Sequence, residues 1–205
     1  MRIWQKSVLL LLTLCLLSVQ SAFAENRTWK DKAFDFRSVA LVRLYEPVYP
    51  QNVTDEMDRW ELRDYFWDQA GEKISDVRFT TNDFAGGKAD LFVEEEIQTY
   101  AVEKTWREPY LYKTTEYETV KYTDKEGRKY ERRVPHEVTK EMPGAYIYTS
   151  YVKVRFNVYD KRNKLVLRYE DQRSAQKELI DMYKRIVRNF YSALEKTDLG
   201  ERAGK

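Results

Sequence analysis

Val152, Val154, Phe156 and Val158 alternate strictly with Tyr151, Lys153, Arg155, Asn157 and Tyr159. Successive side chains of an extended chain point to opposite faces, so this run is a strand with one apolar and one wet face. A turn over Asp160 to Lys164 and a second alternation through Leu165, Leu167 and Tyr169 complete a hairpin. A sheet that is apolar on one side needs a cover. The next segment supplies it, with Ser174 as its cap: Leu179, Met182, Tyr183, Ile186, Phe190 and Ala193 recur at helical spacing, opposite Lys177, Asp181, Lys184, Arg185 and Arg188.

The first half adds a crossover. Phe36 to Tyr45 reads FRSVALVRLY, and its apolar centre Val39 to Val42 predicts a strand buried on both faces, ended by Pro47 and Pro50. Thr54 is placed to cap a helix with Asp55 and Glu56 in its first turn, where acids suit the positive end of the helix dipole. Leu62, Phe66 and Ala70 share one side of that helix, Trp60 and Trp67 lie on the neighbouring stripe, and Gly71 is the expected stop. Asp76 to Thr81 reads as a short strand and Gly86-Gly87 as a turn. Strand, helix and strand in succession imply a crossover onto one sheet. Along Ala89 to Tyr100 the parity of Leu91, Val93, Ile97 and Thr99 is interrupted by Glu95, which predicts a bulge or an exposed stretch. The fold class is α+β: a mixed, mostly antiparallel sheet packed by two helices.

Between these halves Thr105 to Met142 departs from both patterns. Of the 16 Tyr in the chain, Tyr110, Tyr112, Tyr117, Tyr122 and Tyr130 lie here among Thr, Lys, Glu and Arg, and both strand parities are polar. Asp124-Lys125-Glu126-Gly127 forms a good hairpin turn, with Gly127 at the left-handed position that a type I turn plus bulge requires. Two long strands, 111–123 and 128–140, are therefore expected to form a protruding β-hairpin arm, inserted at 105–142. Tyrosine interleaved with Arg and Lys stacks on sugars or peptide side chains, and Tyr and Arg are common interface anchors. Tyr110, Tyr112, Tyr117, Tyr122, Tyr130, Arg132 and Arg133 are the candidate binding residues.

The N-terminus carries an export pattern. Arg2 and Lys6 precede an apolar stretch from Ser7 to Val19, and Ala22-Phe23-Ala24 puts small residues where a signal peptidase reads them. The stretch is short of the roughly 20 apolar residues that span a bilayer. Cleavage after Ala24 is expected, giving a signal peptide over 1–24, a loose polar leader over 25–34, one domain over 35–196 and a flexible tail over 197–205. The product is read as exported, periplasmic or secreted, with no membrane span. Removing Arg2 and Lys6 leaves 34 basic against 34 acidic residues, so the exported part is neutral. Neutrality and export disfavour nucleic acid as a partner.

Residue inventory excludes several chemistries. The single cysteine, Cys15, lies inside the signal and follows Leu14, where a lipobox needs a small residue. The exported chain therefore has no disulfide, no sulfur ligand and no thiol nucleophile, and at this length its core is large enough to need no staple. His136 is the only histidine, and no nucleophile motif accompanies it. Ala85-Gly86-Gly87-Lys88 lacks phosphate-loop spacing. Glu94-Glu95-Glu96 with Asp90 would supply carboxylates for glycoside hydrolysis or a hard cation, but alternation sets Glu95 on the face opposite Glu94 and Glu96. No catalytic residue, metal site or cofactor is assigned.

The order VALV (Val39 to Val42), helix to Gly71, short strand, glycine turn and ADLFVEEEIQTY (Ala89 to Tyr100) resembles the small exported α/β domains of bacterial envelope accessory proteins. Examples are the N-terminal domain of the Tol-system propeller protein and the curli-assembly lipoprotein, and the likeness runs over residues 35–195. It implies a non-enzymatic role through protein contacts in the envelope. The chain departs from many such domains by lacking a lipobox and by carrying the tyrosine-rich arm. The expected function is an exported binding or assembly module whose partner is an envelope protein or cell-wall glycan. The alternative is a carboxylate-dependent hydrolase acting on envelope glycans.

Overall fold

The computed structural model describes residues 23–86 and 88–201. Its elements run β1 (Phe23–Lys30), a 3₁₀ turn (Phe36–Ser38), β2 (Leu41–Leu44), α1 (Glu56–Lys73), β3 (Arg78–Thr80), α2 (Asp83–Gly86), β4 (Leu91–Arg107), β5 (Tyr110–Thr123), β6 (Lys129–Met142), β7 (Ala145–Asp160), β8 (Leu165–Ala175) and α3 (Leu179–Glu195). The chain divides into two units, a body formed by residues up to Glu103 and from Thr149 onward, and a second unit, Lys104–Tyr148. The fold is α+β.

The six-stranded sheet has the order β1-β8-β7-β4-β2-β3. It is mixed: β1 and β7 run antiparallel to β8, whereas β3 and β4 run parallel to β2. The parallel part is the expected strand, helix, strand crossover through α1. Its first strand is shorter than the apolar run suggests, because Asp35 caps a 3₁₀ turn by accepting from the Arg37 N–H at 3.3 Å. Leu41 to Leu44 then alternate, with Val42 and Leu44 buried and Leu41 and Arg43 half-buried. Helix α1 starts one residue later than expected, at the Asp55 carboxylate, which accepts from Met57 N–H at 2.8 Å. It continues through Gly71 to Lys73 and ends at Ile74, whose side chain is buried. Gly71 does not stop it, since a glycine in a helix costs only about 1 kcal/mol.

The core lies between the sheet and the helices α1 and α3. Phe156 of β7 stacks on Phe190 of α3 with centroids 4.1 Å apart, and Phe66 of α1 packs at 5.8 Å from both Phe156 and Tyr191. The two helices are also tied by hydroxyls: Tyr183 donates to the Leu62 carbonyl and Tyr191 to the Phe66 carbonyl, each at 2.9 Å. Those bonds satisfy the polar tips of two fully buried aromatic residues. Trp60 is exposed, so the apolar face of α1 is narrower than its tryptophans suggest.

Four expectations are corrected. Residues 25–34 are no loose leader: Glu25 to Lys30 belong to β1 and pair from Gln172 to Leu167, although nearly all their side chains are exposed. Backbone bonding to β8 makes this edge strand, which no hydrophobic pattern announces. Residues 197–201 do not fray, since Thr197 and Leu199 are buried and the Gly200 N–H donates to the Phe36 carbonyl at 3.1 Å. Ser174 lies inside β8 and caps nothing; Glu178 precedes α3 instead. Gly86 ends the short helix α2, and Gly87 lies outside the described residues, as do Met1 to Ala22, most of the segment 1–24 over which a signal peptide is expected. Among the described residues no helix is long and apolar enough to cross a membrane.

Candidate functional site

The carboxylate run is split by the sheet. Leu91, Val93, Glu95 and Ile97 are all buried, so the alternation continues through Glu95 with no bulge there. One edge of the strand here is held by Val48, whose N–H donates to the Glu95 carbonyl at 2.8 Å and whose carbonyl accepts from Ile97 N–H at 2.9 Å. Both carboxyl oxygens are enclosed beside the Tyr183 hydroxyl, which itself donates to the Leu62 carbonyl. Burial raises the Glu95 acid from 4.5 to about 8, and the proximity of Tyr183 offsets this only in part. An acid sealed in the core meets no substrate.

On the opposite face the charges are neutralised in a strip. Arg155 Nη1 donates to Glu96 Oε2 at 3.2 Å and Arg155 Nε to Glu170 Oε2 at 3.1 Å, while Lys153 Nζ reaches Glu170 Oε1 at 3.1 Å. Partial burial pushes the Glu170 acid up, but Lys153 and Arg155 outweigh it and its pKa lies below the ordinary value. Asp90 has a backbone role: its carboxylate accepts from Ala40 N–H at 2.9 Å and Leu41 N–H at 3.2 Å, which fixes the start of β2. Among the described residues no group of three or more His, Cys, Asp or Glu is arranged to hold a metal.

The candidate binding residues all lie in the unit Lys104–Tyr148. There β5 and β6 form a two-stranded antiparallel hairpin in which Tyr110 pairs with Met142 and Thr123 with Lys129. Gly127 sits at φ +81°, and the Asp124 carboxylate accepts from Glu126 N–H, Arg128 N–H, Arg128 Nε and the Tyr130 hydroxyl at 2.8 to 3.0 Å. Opposed residues in an antiparallel pair project from the same side. The register therefore separates the candidates: Tyr110, Tyr112, Tyr122, Tyr130 and Arg132 share one side, while Tyr117 and Arg133 project from the other. Tyr122 and Tyr130 stack with centroids 5.9 Å apart. His136 is exposed opposite Glu116.

A second aromatic group in this unit escapes a reading by strand pattern. Trp106 meets Tyr146 edge to face at 4.9 Å, and the Lys104 ammonium lies 3.9 Å from the Tyr146 ring centre and 5.7 Å from that of Tyr148. The Trp106 indole rests on Gly144, where any β-carbon would approach it to 2.5 Å. Trp106, Tyr146 and Tyr148 are exposed all the same. The only sequence signal is the density of aromatic residues flanking Pro143-Gly144.

Neither a family model nor a curated protein sequence matches the chain. Among solved structures it is similar to the PelC dodecamer from Paraburkholderia phytofirmans, at 11% identity and a TM-score of 0.49, over 84% of this chain and 97% of that one. A point variant of the same dodecamer gives a TM-score of 0.46 at 11% identity, with the same coverage. A likeness this distant assigns neither a family nor a role.

Proposed function

We propose that the chain is an exported, non-enzymatic binding or assembly module of the cell envelope, whose contact surface is carried by Lys104–Tyr148. The observation that carries this reading is where large apolar side chains meet water. Of the sixteen exposed large hydrophobic residues among the described residues, ten fall between Trp106 and Tyr148. Single exposed apolar residues are ordinary, but a concentration of Trp, Tyr and Val in one unit marks an interaction surface. Export is supported by the charged, apolar and small-residue order of Met1 to Ala24. The resemblance to exported envelope domains belongs to the same proposal, and the partner is an envelope protein or a cell-wall glycan. The hydrolase reading finds no support, since Glu95 is sealed and Glu96 is held by Arg155.

Crosslinking in envelope extracts tests it. The intact chain should capture a partner, and a chain in which a short Gly/Ser linker replaces Tyr110 to Glu141 should lose it. Retention of the same partner by that deletion would overturn the assignment of the surface.

A further inference from the structure

The hairpin has an unsatisfied side. Neither β5 nor β6 pairs with a third strand among the described residues, and a two-stranded ribbon in water gains little stability alone. Its two sides differ in how their charges are used. On the side of Tyr117, Lys113 pairs with Glu137 at 3.0 Å and Lys121 with Glu131 at 3.0 Å. On the side of Tyr122, Lys140 is bound to Glu116, but Glu118 and Arg132 form no ion pair among the described residues. They flank Val120 and Val134: Glu118 lies directly opposite Val134, and Arg132 opposite Val120. Beyond them Tyr122 and Tyr130 lie opposite one another, 47% and 41% exposed, and Val120 and Val134 are each 40% exposed. This half of the ribbon is therefore an apolar centre with one free acid and one free base set diagonally across it.

A surface of that kind is complementary to itself. In a two-fold contact the same patch serves both partners, so each residue i meets j while j meets i. Resting on the assignment of the contact surface to this unit, we propose that the Tyr122 side of the hairpin is where two copies of this chain associate. They pack face to face about a two-fold axis, with Glu118 of each copy beside Arg132 of the other. The half from Glu118 to Thr123, opposite Lys129 to Val134, is six residues and about 20 Å long, and two strands cover about 10 Å, so two such halves bury roughly 400 Å² together. That is less than the roughly 1,200 Å² of stable complexes, and the association is accordingly weak and concentration-dependent.

Sedimentation of the exported chain over a wide concentration range should show a reversible monomer–dimer equilibrium. Glu118→Arg alone and Arg132→Glu alone place like charges in contact and should each weaken dimerisation at least about tenfold. An equimolar mixture of the two variants should restore it, because both contacts across the axis then join an acid to a base again; this restoration also shows that both variants are folded. An intact chain that remains monomeric throughout, or a mixture no stronger than the separate variants, would overturn the inference. The envelope crosslinking separates the two claims. A monomeric chain whose hairpin deletion loses a captured partner keeps the contact surface and refutes self-association, whereas a dimeric chain whose deletion keeps that partner does the reverse.

Discussion

Local pattern and tertiary consequence part at Glu95. Glu95 is one of three consecutive glutamates, yet it alone lies under the helices, with burial lifting its acid to about 8 while an exposed glutamate ionises near 4.5. In that window the unfolded chain has released the proton and the folded chain retains it, so stability falls as pH rises from about 4.5 to about 8 and then levels off. The loss is about 1.4 kcal/mol for each pH unit crossed, as an order of magnitude. Glu95→Gln should flatten this slope, leaving the variant more stable than the parent at alkaline pH and less so in acid; urea midpoints across the window measure it, and a flat curve for the parent would refute it. Phe156, stacked on Phe190, and Ile186 are fully buried. Truncating either to Ala should cost roughly 2 to 5 kcal/mol. The same change at Lys153 or Lys184, whose ion pairs with Glu170 and Glu61 are partly exposed, should cost about 0.5 kcal/mol or less. Coincident denaturation midpoints for all four would show the strand and helix phases to be wrong.

At the level of elements the hairpin and the body are supported differently. The body strands β7 and β8 bury Val152, Val154, Phe156, Val158 and Leu167, while the side chains of β5 and β6 are exposed or half-buried. Apolar burial contributes roughly 25 cal/mol per Å², so a ribbon that buries little adds little to folding. Loop-closure entropy also changes slowly with length. Replacing Tyr110 to Glu141 by a short Gly/Ser linker should therefore leave one cooperative unfolding transition, with a midpoint near that of the parent in circular dichroism. Loss of cooperativity would show that the hairpin is needed by the core. Within the hairpin, Gly127 holds a positive φ that only glycine adopts without strain. The equivalent turn in the body places Asn163 at φ 59°, with Asp160 accepting from Arg162 and Lys164 N–H at 2.9 Å. Both turns use an Asp to gather backbone donors and a residue tolerant of the left-handed region.

For the whole molecule the export prediction meets a structural condition. Cleavage after Ala24 removes the first two residues of β1 and leaves Glu25 to Lys30, still in register with Gln172 to Leu167. Expressed with its signal in a bacterial host, the protein should appear outside the cytoplasm with Glu25 first by intact mass; a mature product that retains Met1 would refute this. The sequence by itself determined the hairpin turns at Asp124-Gly127 and Asp160-Lys164, the phase of β7, the buried stripe of α3 and the crossover through α1. Each rests on periods of 2 or 3.6 residues or on a turn residue, and these act within a few positions of the chain. Only the tertiary structure decided that the polar segment Glu25 to Lys30 is an edge strand, that Thr197 and Leu199 pack into the body, that Glu95 is sealed while Glu94 is exposed, and that Trp106 lies on Gly144. Those outcomes depend on which strand edge finds a partner, which face of the sheet is covered and which backbone lies under an indole. They are set by contacts between residues far apart in sequence, and local pattern carries no record of them.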